Sequence, residues 1–201
     1  MNVADNHKKF WQLFESGRWE PWTYELMAEV LKPGDLFVDV GAWIGPLCVW
    51  AQRMGAQCIA IEPSPSALPE LADNTAAAGA EIWAGALELH TGHTFITPRL
   101  DSCNRITDAE DPSAIEVPCW TLEDILAGRK PALVSMDIEG YEMVLLPAIA
   151  PLVADLGAVL AASLHDAVPP RWWFTNFTRV KIPATPRRGP TGSSRLVIAR
   201  P

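Results

Sequence analysis

A glycine turn and the carboxylate that follows it have the residue types and spacing to bind a nucleoside. Segment 39–45, with the sequence D-V-G-A-W-I-G, joins an apolar run at 36–40 to a helix-like run that starts at Pro46. Such a turn lets a ligand reach the backbone at a helix N-terminus, where unpaired N–H groups and the helix dipole point outward. Glu62 ends the next apolar run, at about the spacing that lets a carboxylate bind the hydroxyls of a ribose. Together these features predict a nucleoside cofactor.

Trp43 narrows the choice of cofactor. A dinucleotide-binding turn has the pattern G-x-G-x-x-G, which lets the chain lie against a pyrophosphate. Here the bulky Trp43 takes the middle position and only Gly41 and Gly45 remain, so a pyrophosphate site is disfavoured. S-adenosylmethionine has a ribose but no phosphate, and it tolerates this looser turn. The alternative is that both glycines serve only the packing of the strand against the helix.

Asp137 and His165 could accept the proton of a hydroxyl group or orient that hydroxyl. Each follows an apolar run, at 132–136 and 158–164, and so lies at the end of a predicted strand. The pKa of an ordinary histidine is close to neutrality, so His165 could accept the proton, and Asp137 could accept it or orient the hydroxyl. The alternatives are a core or capping histidine and a turn-capping aspartate.

Three carboxylates within six positions, those of Asp137, Glu139 and Glu142, could bind a divalent cation. Mg²⁺ and Ca²⁺ prefer oxygen ligands, and either ion would lower the pKa of an acceptor hydroxyl. However, Glu139 and Glu142 stand where a helix is predicted to begin, and acids there stabilise the helix dipole without a metal. The four histidines are too dispersed along the chain to suggest zinc.

Alternating strands and helices must position these groups. Strands are predicted at 36–40, 57–61, 81–87, 132–136 and 158–164, with a β-extension at 94–97 and a short extended segment at 117–120. Helices are predicted at 46–54, 66–78, 121–126 and 141–156. This alternation predicts an α/β fold with a Rossmann-like, doubly wound and mostly parallel sheet, and two strands at 179–182 and 195–199 should form an antiparallel pair at its C-terminal edge. Ligands of open sheets bind beyond the carboxyl ends of the strands, so Asp39, Glu62, Asp137 and His165 should converge on one rim.

The remaining segments fit one domain that covers residues 1–201, an ordinary length for a single domain. Residues 1–31 should form a helical N-terminal extension, and a short aromatic helix is predicted around 172–174. Residues 98–116 hold several acidic residues and two prolines without apolar periodicity. That composition is typical of a long loop, which could act as a lid.

Composition and charge describe a globular chain with an uneven charge distribution. Hydrophobic residues make up 49% and charged residues 20% of the chain, and no apolar stretch reaches the about 20 residues that a membrane-spanning helix needs. Cys48, Cys58, Cys103 and Cys119 show no C-x-x-C pairing, so we expect reduced, structural thiols and a cytoplasmic protein. The net charge is −8, but residues 171–201 hold seven basic and no acidic side chains, which leaves −15 for the rest. That basic C-terminal edge could meet an anionic partner or pair with the protein's own acidic body.

The arrangement of motifs resembles the FkbM family of class I S-adenosylmethionine-dependent methyltransferases over about residues 31–166. The matching stretches are P-G-D at 33–35 with the glycine turn, E-P at 62–63, L-A-D-N at 71–74, T-L-E-D at 121–124, M-D-I-E-G-Y-E at 136–142 and S-L-H at 163–165. The combination of D-x-E-G-x-E with the later S-L-H is more specific than the glycine turn. Trp43 departs from the pattern, because the family usually has a small polar residue there.

The resemblance implies a seven-stranded Rossmann-like sheet whose last strand is inserted antiparallel. It also implies transfer of a methyl group to an oxygen, often a hydroxyl of a sugar, glycan or polyketide. Gly41 and Gly45 would flank the methionine part of the cofactor, and Glu62 would accept from the ribose hydroxyls. The full predicted cofactor-binding set is Asp39, Gly41, Ala42, Trp43, Gly45, Glu62, Pro63, Ala86 and Asp137.

Two other functions remain open. A nucleic-acid or protein methyltransferase could use the basic C-terminal edge to bind its substrate. However, amino-methylating DNA enzymes usually carry an Asn/Asp-Pro-Pro-aromatic box where this chain has D-I-E-G at 137–140. The overall acidity of the chain also disfavours binding to nucleic acid. A non-catalytic binding subunit could use tryptophans as an interface, although these could equally pack the N-terminal helices onto the sheet. The tryptophans concerned are Trp19, Trp22, Trp172 and Trp173. Neither the methyl acceptor nor the oligomeric state follows from any of these motifs.

Overall fold

The computed structural model describes residues 3–97, 105–107, 109–165, 179–181 and 194–200, with the backbone alone at 3–6, 78, 179–181 and 194–200. The helices are α1 (Val3–Glu15), α2 (Pro21–Val30), α3 (Pro46–Arg53), α4 (Leu68–Thr75), α5 (Leu122–Leu126) and α6 (Glu142–Asp155). The strands are β1 (Leu36–Val40), β2 (Gln57–Ile61), β3 (Glu81–Trp83), β4 (Ala86–Leu87), β5 (Gly92–Thr97), β6 (Arg105–Thr107), β7 (Ile115–Trp120), β8 (Leu133–Met136), β9 (Val159–His165), β10 (Arg179–Lys181) and β11 (Ser194–Arg200).

Seven strands form the central sheet, in the order β3-β2-β1-β8-β9-β11-β10. The first five of these are parallel, whereas β11 runs antiparallel to both β9 and β10. The predicted doubly wound α/β fold, its antiparallel C-terminal pair and the inserted last strand are therefore confirmed. The winding reverses direction between β1 and β8, and open sheets of this kind bind their ligands at such a switch point.

Apolar side chains cover both faces of this sheet. All five residues of β1 are buried, as the two covered faces of a parallel sheet require. Helices α5 and α6 pack on one face, and α1 to α4 pack on the other. None of the helices in the described residues is long and apolar enough to cross a membrane.

Aromatic residues attach the N-terminal helices to the second face. Phe14 lies 5.7 Å from Tyr24 and 6.2 Å from Trp50 between ring centroids, and Trp19 lies 6.0 Å from Tyr24. Trp19 therefore serves the packing of the N-terminal helices, whereas Trp22 is 42% exposed. The other two tryptophans considered as an interface, with the predicted aromatic helix around 172–174, lie outside the described residues.

A second sheet of four strands, in the order β4-β7-β5-β6, corrects two predictions. The predicted strand at 81–87 is two strands in different sheets, because β3 pairs with β2 and β4 pairs with β7. The break falls at Gly85, where a Cβ atom would lie 2.3 Å from the carbonyl oxygen of Pro118. The predicted loop at 98–116 contains β6 and the start of β7, which both pair with β5. The rest of that stretch is described only from 109 onward.

Helix α4 starts later than the sequence predicts. The Ser66 hydroxyl does not cap it but pairs with the Ser64 hydroxyl at 2.9 Å, and the helix begins at Leu68. A short 3₁₀ turn, Ala76–Ala78, completes the predicted length and ends at Gly79, whose φ is +68. The predicted helix at 66–78 therefore ends where the sequence predicts and begins two residues later.

Candidate functional site

The carboxyl ends of parallel strands bring most of the predicted site residues together. The Asp137 N–H donates to Val40 O and the Gly41 N–H donates to Ile61 O, both at 2.9 Å, so the ends of β1, β2 and β8 are bonded side by side. His165 ends β9, which is the next strand after β8. An open surface depression of about 450 Å³ lies instead at the amino ends of β1, β2 and β8 and contains none of the predicted residues.

Both glycines of the turn are required by the protein's own packing. Gly41 has φ +85, and a Cβ atom there would lie 1.9 Å from the carbonyl oxygen of Asp137. Gly45 has φ +86, and a Cβ atom there would lie 2.7 Å from Leu71 Cδ1. The packing alternative therefore explains part of this motif. The missing Cβ at Gly41 lets the backbone of Asp137 and the side chain of Ile138 pack directly against the turn.

The carboxylate of Glu62 is held in one orientation by two backbone donors. The Trp43 N–H donates to Glu62 Oε2 and the Ser64 N–H donates to Oε1, both at 2.7 Å. Glu62 is only 5% exposed, and this burial raises its pKa while the two N–H donors lower it. Each carboxylate oxygen accepts one of these bonds and has further acceptor capacity, so the group can also accept from a pair of ribose hydroxyls.

The indole of Trp43 packs against α1. Its ring centroid lies 4.7 Å from that of Phe10 and 5.2 Å from that of His7, and both contacts are edge to face. The backbone of Trp43 has φ +49, a left-handed conformation that is unusual for a large side chain. Where the family usually has a small polar residue, this chain therefore has an anchor for its N-terminal helix.

The other predicted cofactor residues are largely covered by protein. Asp39 is 3% exposed and accepts from Cys48 Sγ at 3.4 Å. Burial raises the pKa of Asp39 to about 7, against the effect of the Cys48 bond. Asp39 therefore links the end of β1 to α3. Ala42 and Ala86 are each 3% exposed and Pro63 is half-buried, so the two alanines offer little beyond backbone atoms.

His165 is surrounded by three carboxylates. Its Nδ1 donates to Glu142 Oε1 at 3.1 Å, and its Nε2 lies 3.5 Å from Asp137 Oδ1 and 3.7 Å from Glu139 Oε2. The hydrogen bond to Glu142 is the main cause that raises the pKa of His165 to about 9. Burial of the imidazole lowers this pKa, and the charges of Asp137, Glu142 and Glu139 raise it further. Glu142 is fully buried in the first turn of α6, where its Oε1 also accepts from the Ile138 N–H at 2.9 Å. Glu142 therefore fixes the orientation of the imidazole.

Two of these carboxylates have a buried oxygen that makes no hydrogen bond among the described residues, although Asp137 Oδ1 lies 3.5 Å from His165 Nε2. Asp137 Oδ1 and Glu142 Oε2 are buried and make no hydrogen bond within the part of the chain that the structure describes. Burial raises the pKa of Asp137, the charge of His165 lowers it, and the other carboxylates raise it further. Buried acceptors in this state mark a place where a ligand or a water completes the bonding.

The geometry does not group the three carboxylates that were predicted to bind a cation. Among the described residues, the ligand atoms that lie within 4.8 Å of one another belong to Asp137, Glu142 and His165. Glu139 stands outside this set, in a turn where its φ is +56. The bond between His165 and Glu142 accounts for the cluster without a metal, so the prediction of Mg²⁺ or Ca²⁺ gains no support.

Glu20 belongs to this site although no motif singles it out. It precedes α2 with φ +41, and its Oε2 accepts from Thr23 Oγ1 at 3.0 Å. Burial raises its pKa, and its own charge raises the pKa of both Asp39 and Asp137. An acidic residue before a helix is common in any sequence.

Comparison with known proteins identifies the family. A family model described as the methyltransferase FkbM domain matches residues 39–157, which is more than half of the chain. No curated protein matches the chain in sequence.

Among solved structures, an rRNA methylase from Streptococcus thermophilus is 13% identical, with a TM-score of 0.56 and coverage of 89% of this chain and 93% of that chain. A conserved hypothetical protein from Streptococcus pyogenes is 12% identical, with a TM-score of 0.52 and the same coverage. An RNA methyltransferase from Salinibacter ruber in complex with S-adenosyl-L-homocysteine is 14% identical, with a TM-score of 0.49 and 90% coverage of each chain.

At these identities the likeness to solved structures shows the fold alone, which is the class I methyltransferase sheet. The matched range of the family model begins at Asp39 and contains the glycine turn, Glu62 and the segment from Asp137 to Glu142, whereas His165 lies just beyond it. The rim also fits the cofactor, because it offers the oriented carboxylate of Glu62 and a buried oxygen on Asp137 that makes no hydrogen bond among the described residues. The chain belongs to the FkbM family of S-adenosylmethionine-dependent methyltransferases.

Proposed function

We propose that the protein is an O-methyltransferase that acts on a hydroxyl of a sugar, a glycan or a related small molecule. The observation that carries this proposal is the bond between His165 and the buried Glu142 beside the rim. An oxygen acceptor has to lose a proton as it gains a methyl group. A histidine oriented by a carboxylate is suited to take that proton.

The hydrogen bonds define how the imidazole works. In the neutral form of His165 that keeps Nδ1–H on Glu142, Nε2 is the proton acceptor, and Nε2 faces Asp137 and Glu139. S-adenosylmethionine, when bound, supplies a methyl group that is attached to a sulfonium sulfur. Loss of this methyl group turns the sulfonium into a neutral thioether, which is the leaving group. The acceptor oxygen forms the new bond to carbon while its proton passes to Nε2. Asp137 is placed to orient the hydroxyl, and alignment of the two reactants supplies much of the rate.

The raised pKa of His165 couples its proton to the bound ligand. With a pKa of about 9, His165 is a strong base that is mostly protonated at neutral pH in the free protein. A positive group bound beside Asp137 competes with His165 for the same carboxylates. Its arrival therefore lowers the pKa of His165 and favours the neutral, proton-accepting form.

The cofactor is held by the turn and by Glu62. In this proposal the segment from Gly41 to Gly45 lies along the methionine part, with Asp39 beneath it and Asp137 beside it. Glu62 accepts from the ribose hydroxyls, and the backbone near Ala86 borders the adenine. The support is the fixed orientation of the Glu62 carboxylate, which accepts from the Trp43 N–H within this turn.

The acidic surroundings favour an acceptor that is uncharged or cationic. The carboxylates of Glu20, Asp137, Glu139 and Glu142 all act on His165, so a phosphorylated acceptor would meet repulsion at the reacting oxygen. For this reason we prefer a small hydroxylated acceptor to a nucleic acid, although an rRNA methylase shares the fold.

Methyl transfer from labelled S-adenosylmethionine to a panel of saccharides, glycosides and an RNA oligonucleotide tests this function. We expect a saccharide or glycoside to be methylated, and His165→Gln to reduce the rate on the order of 10²- to 10⁴-fold while S-adenosylhomocysteine binding persists. His93→Gln is the matched control, because His93 is exposed on β5. Methylation of the RNA alone would refute the acceptor class, and an undiminished rate in His165→Gln would refute the role of the histidine.

A further inference from the structure

A buried carboxylate joins the second sheet to the start of α6. Glu88 directly follows β4 and is 5% exposed. Its Oε1 accepts from Thr94 Oγ1 on β5 at 3.2 Å, and its Oε2 accepts from Tyr141 Oη and from the Leu89 N–H, both at 3.2 Å. Burial and the charge of Glu88 raise the pKa of Tyr141 to about 12, so the hydroxyl keeps its proton and donates. Because the methyl transfer proposed above uses no atom of Glu88, this network points to a role at a distance.

Tyr141 stands immediately before Glu142, the residue at which α6 begins. The carbonyl oxygen of Tyr141 accepts from the Val144 N–H at 3.0 Å, so this residue belongs to the first turn of the helix. Successive residues of an α-helix point about 100° apart around its axis. The side chains of Tyr141 and Glu142 therefore leave the helix in different directions. The first reaches Glu88 beside the second sheet, and the second reaches His165 at the end of β9.

The turn between β8 and α6 does little by itself to fix these directions. Glu139 and Gly140 have φ values of +56 and +108, and the Tyr141 N–H donates to Ile138 O at a long 3.4 Å. A Cβ atom at Gly140 would meet nothing within 4 Å, so the turn is open on that side. The bond from the Ile138 N–H to Glu142 lies within the same turn and moves with it. The hydroxyl bond of Tyr141 instead ties the start of α6 to a different element.

We propose that Glu88 and Tyr141 are positioning residues, whose hydrogen bond holds the first turn of α6 against the second sheet. In this position Glu142 keeps its bond to Nδ1 of His165. The inference rests on the proposed function, in which His165 accepts the proton of the acceptor. Neither Glu88 nor Tyr141 has to touch the acceptor, because both act through Glu142. The second sheet thereby takes part in the reaction by fixing the orientation of the base.

Tyr141→Phe and Glu88→Gln separate this role from an effect of charge. Phenylalanine keeps the ring that packs against the core and removes only the hydroxyl. Glutamine keeps an oxygen that can accept from the Tyr141 hydroxyl and an amide group that can bond to Thr94, but it removes the charge. Tyr24→Phe is the matched control. Tyr24 is the other of the two tyrosines in the chain, and its buried hydroxyl makes no hydrogen bond within the part of the chain that the structure describes.

NMR titration of His165 in the free protein, together with methyl transfer to the acceptor that the panel identifies, tests the proposal. In Tyr141→Phe we expect the pKa of His165 to fall by on the order of 0.5 to 1, because Glu142 is held less well on the imidazole. The value of kcat should fall on the order of 10-fold, with the KM for S-adenosylmethionine unchanged. Glu88→Ala, which removes the acceptor of the Tyr141 hydroxyl, should behave like Tyr141→Phe. Glu88→Gln and Tyr24→Phe should titrate like wild type.

Two results would overturn the proposal in different ways. A wild-type pKa of His165 or a wild-type kcat in Tyr141→Phe, even with reduced stability, means that the bond serves packing alone, and it leaves the proposed function standing. An equal fall of this pKa in Glu88→Gln and Tyr141→Phe means that the charge of Glu88 acts and not its bond. Absence of methyl transfer by the wild type to every acceptor in the panel removes the proposed function instead. The titration then still decides whether Tyr141 holds Glu142 on His165.

Discussion

Replacing Glu142 by Gln should move the titration of His165 by a large amount. Glutamine keeps an oxygen that can accept from Ile138 N–H and from His165 Nδ1–H, but it removes a negative charge 3.1 Å from the imidazole. The pKa of His165 is raised from 6.5 to about 9, and the bond to Glu142 is the largest cause. We expect the variant's pKa to fall by on the order of 1 to 2. It should stay above the ordinary value, because Asp137, Glu139 and Glu20 remain.

NMR titration of the imidazole protons in the free protein measures this change directly. The chain has four histidines, so comparison with His165→Gln identifies the relevant signal. Glu123→Gln, exposed on α5, is the control and should leave the titration where it is in wild type. A wild-type His165 that titrates near 6.5, or an unchanged titration in Glu142→Gln, would refute the argument that Glu142 sets the basicity of this histidine.

Three further predictions follow from the same site. The pKa of His165 in the folded protein lies above its ordinary 6.5, so the stability that its protonation contributes should be complete below about pH 6.5 and be lost as the pH rises toward about 9. Urea unfolding should show a loss on the order of 3 kcal/mol in the free energy of unfolding over this range. A free energy of unfolding that does not change over this pH range would contradict the prediction. Gly41→Ala should lower the free energy of unfolding by on the order of 3 kcal/mol, because the added methyl group meets Asp137 O at 1.9 Å in a left-handed backbone; wild-type stability in urea would show that the turn can relax. Trp43→Ala should loosen α1, seen as faster tryptic cleavage at the exposed lysines 8 and 9; an unchanged cleavage rate would mean that the helix is held without the indole.

The central sheet could be predicted because its strands are local apolar runs. The core strands β1, β2, β8 and β9 are continuous buried segments, and glycines or prolines stand at the turns that separate them from helices. The rule that ligands lie beyond the carboxyl ends of such strands then located Asp137 and His165 without any knowledge of side-chain contacts. Local pattern and topology therefore sufficed for the frame of the site.

The second sheet could be predicted only in part, because extended segments were expected at 94–97 and 117–120, within β5 and β7, but their pairing with β4 and β6 was not. Strand β6 has only three residues, and it is defined by pairing with β5 and not by an apolar pattern of its own. The division of the predicted 81–87 strand depends on a contact between Gly85 and the Pro118 carbonyl, more than 30 residues away. Contacts of this kind leave no signal in a short window of sequence.

Contacts between residues that are far apart in the sequence also determine parts of the candidate site. The sequence offered Glu142 as a helix-dipole partner or a metal ligand, and only the fold shows its bond to His165, 23 residues later. Glu20 is a second case, because its effect on the pKa values of Asp39 and Asp137 joins segments that are far apart in the sequence. Both residues act through long-range packing, so their roles follow from the three-dimensional arrangement alone.

The most direct test of the account is calorimetric titration of the wild-type protein and of Glu62→Ala with S-adenosylhomocysteine, with the exposed Glu25→Ala as a control. The account predicts micromolar binding by the wild type and by the control, and a loss on the order of 10-fold or more in Glu62→Ala, where two ribose hydroxyls lose a charged acceptor. Binding that is the same in all three proteins would contradict the assignment of Glu62, and absence of binding by the wild type would contradict the cofactor site as a whole.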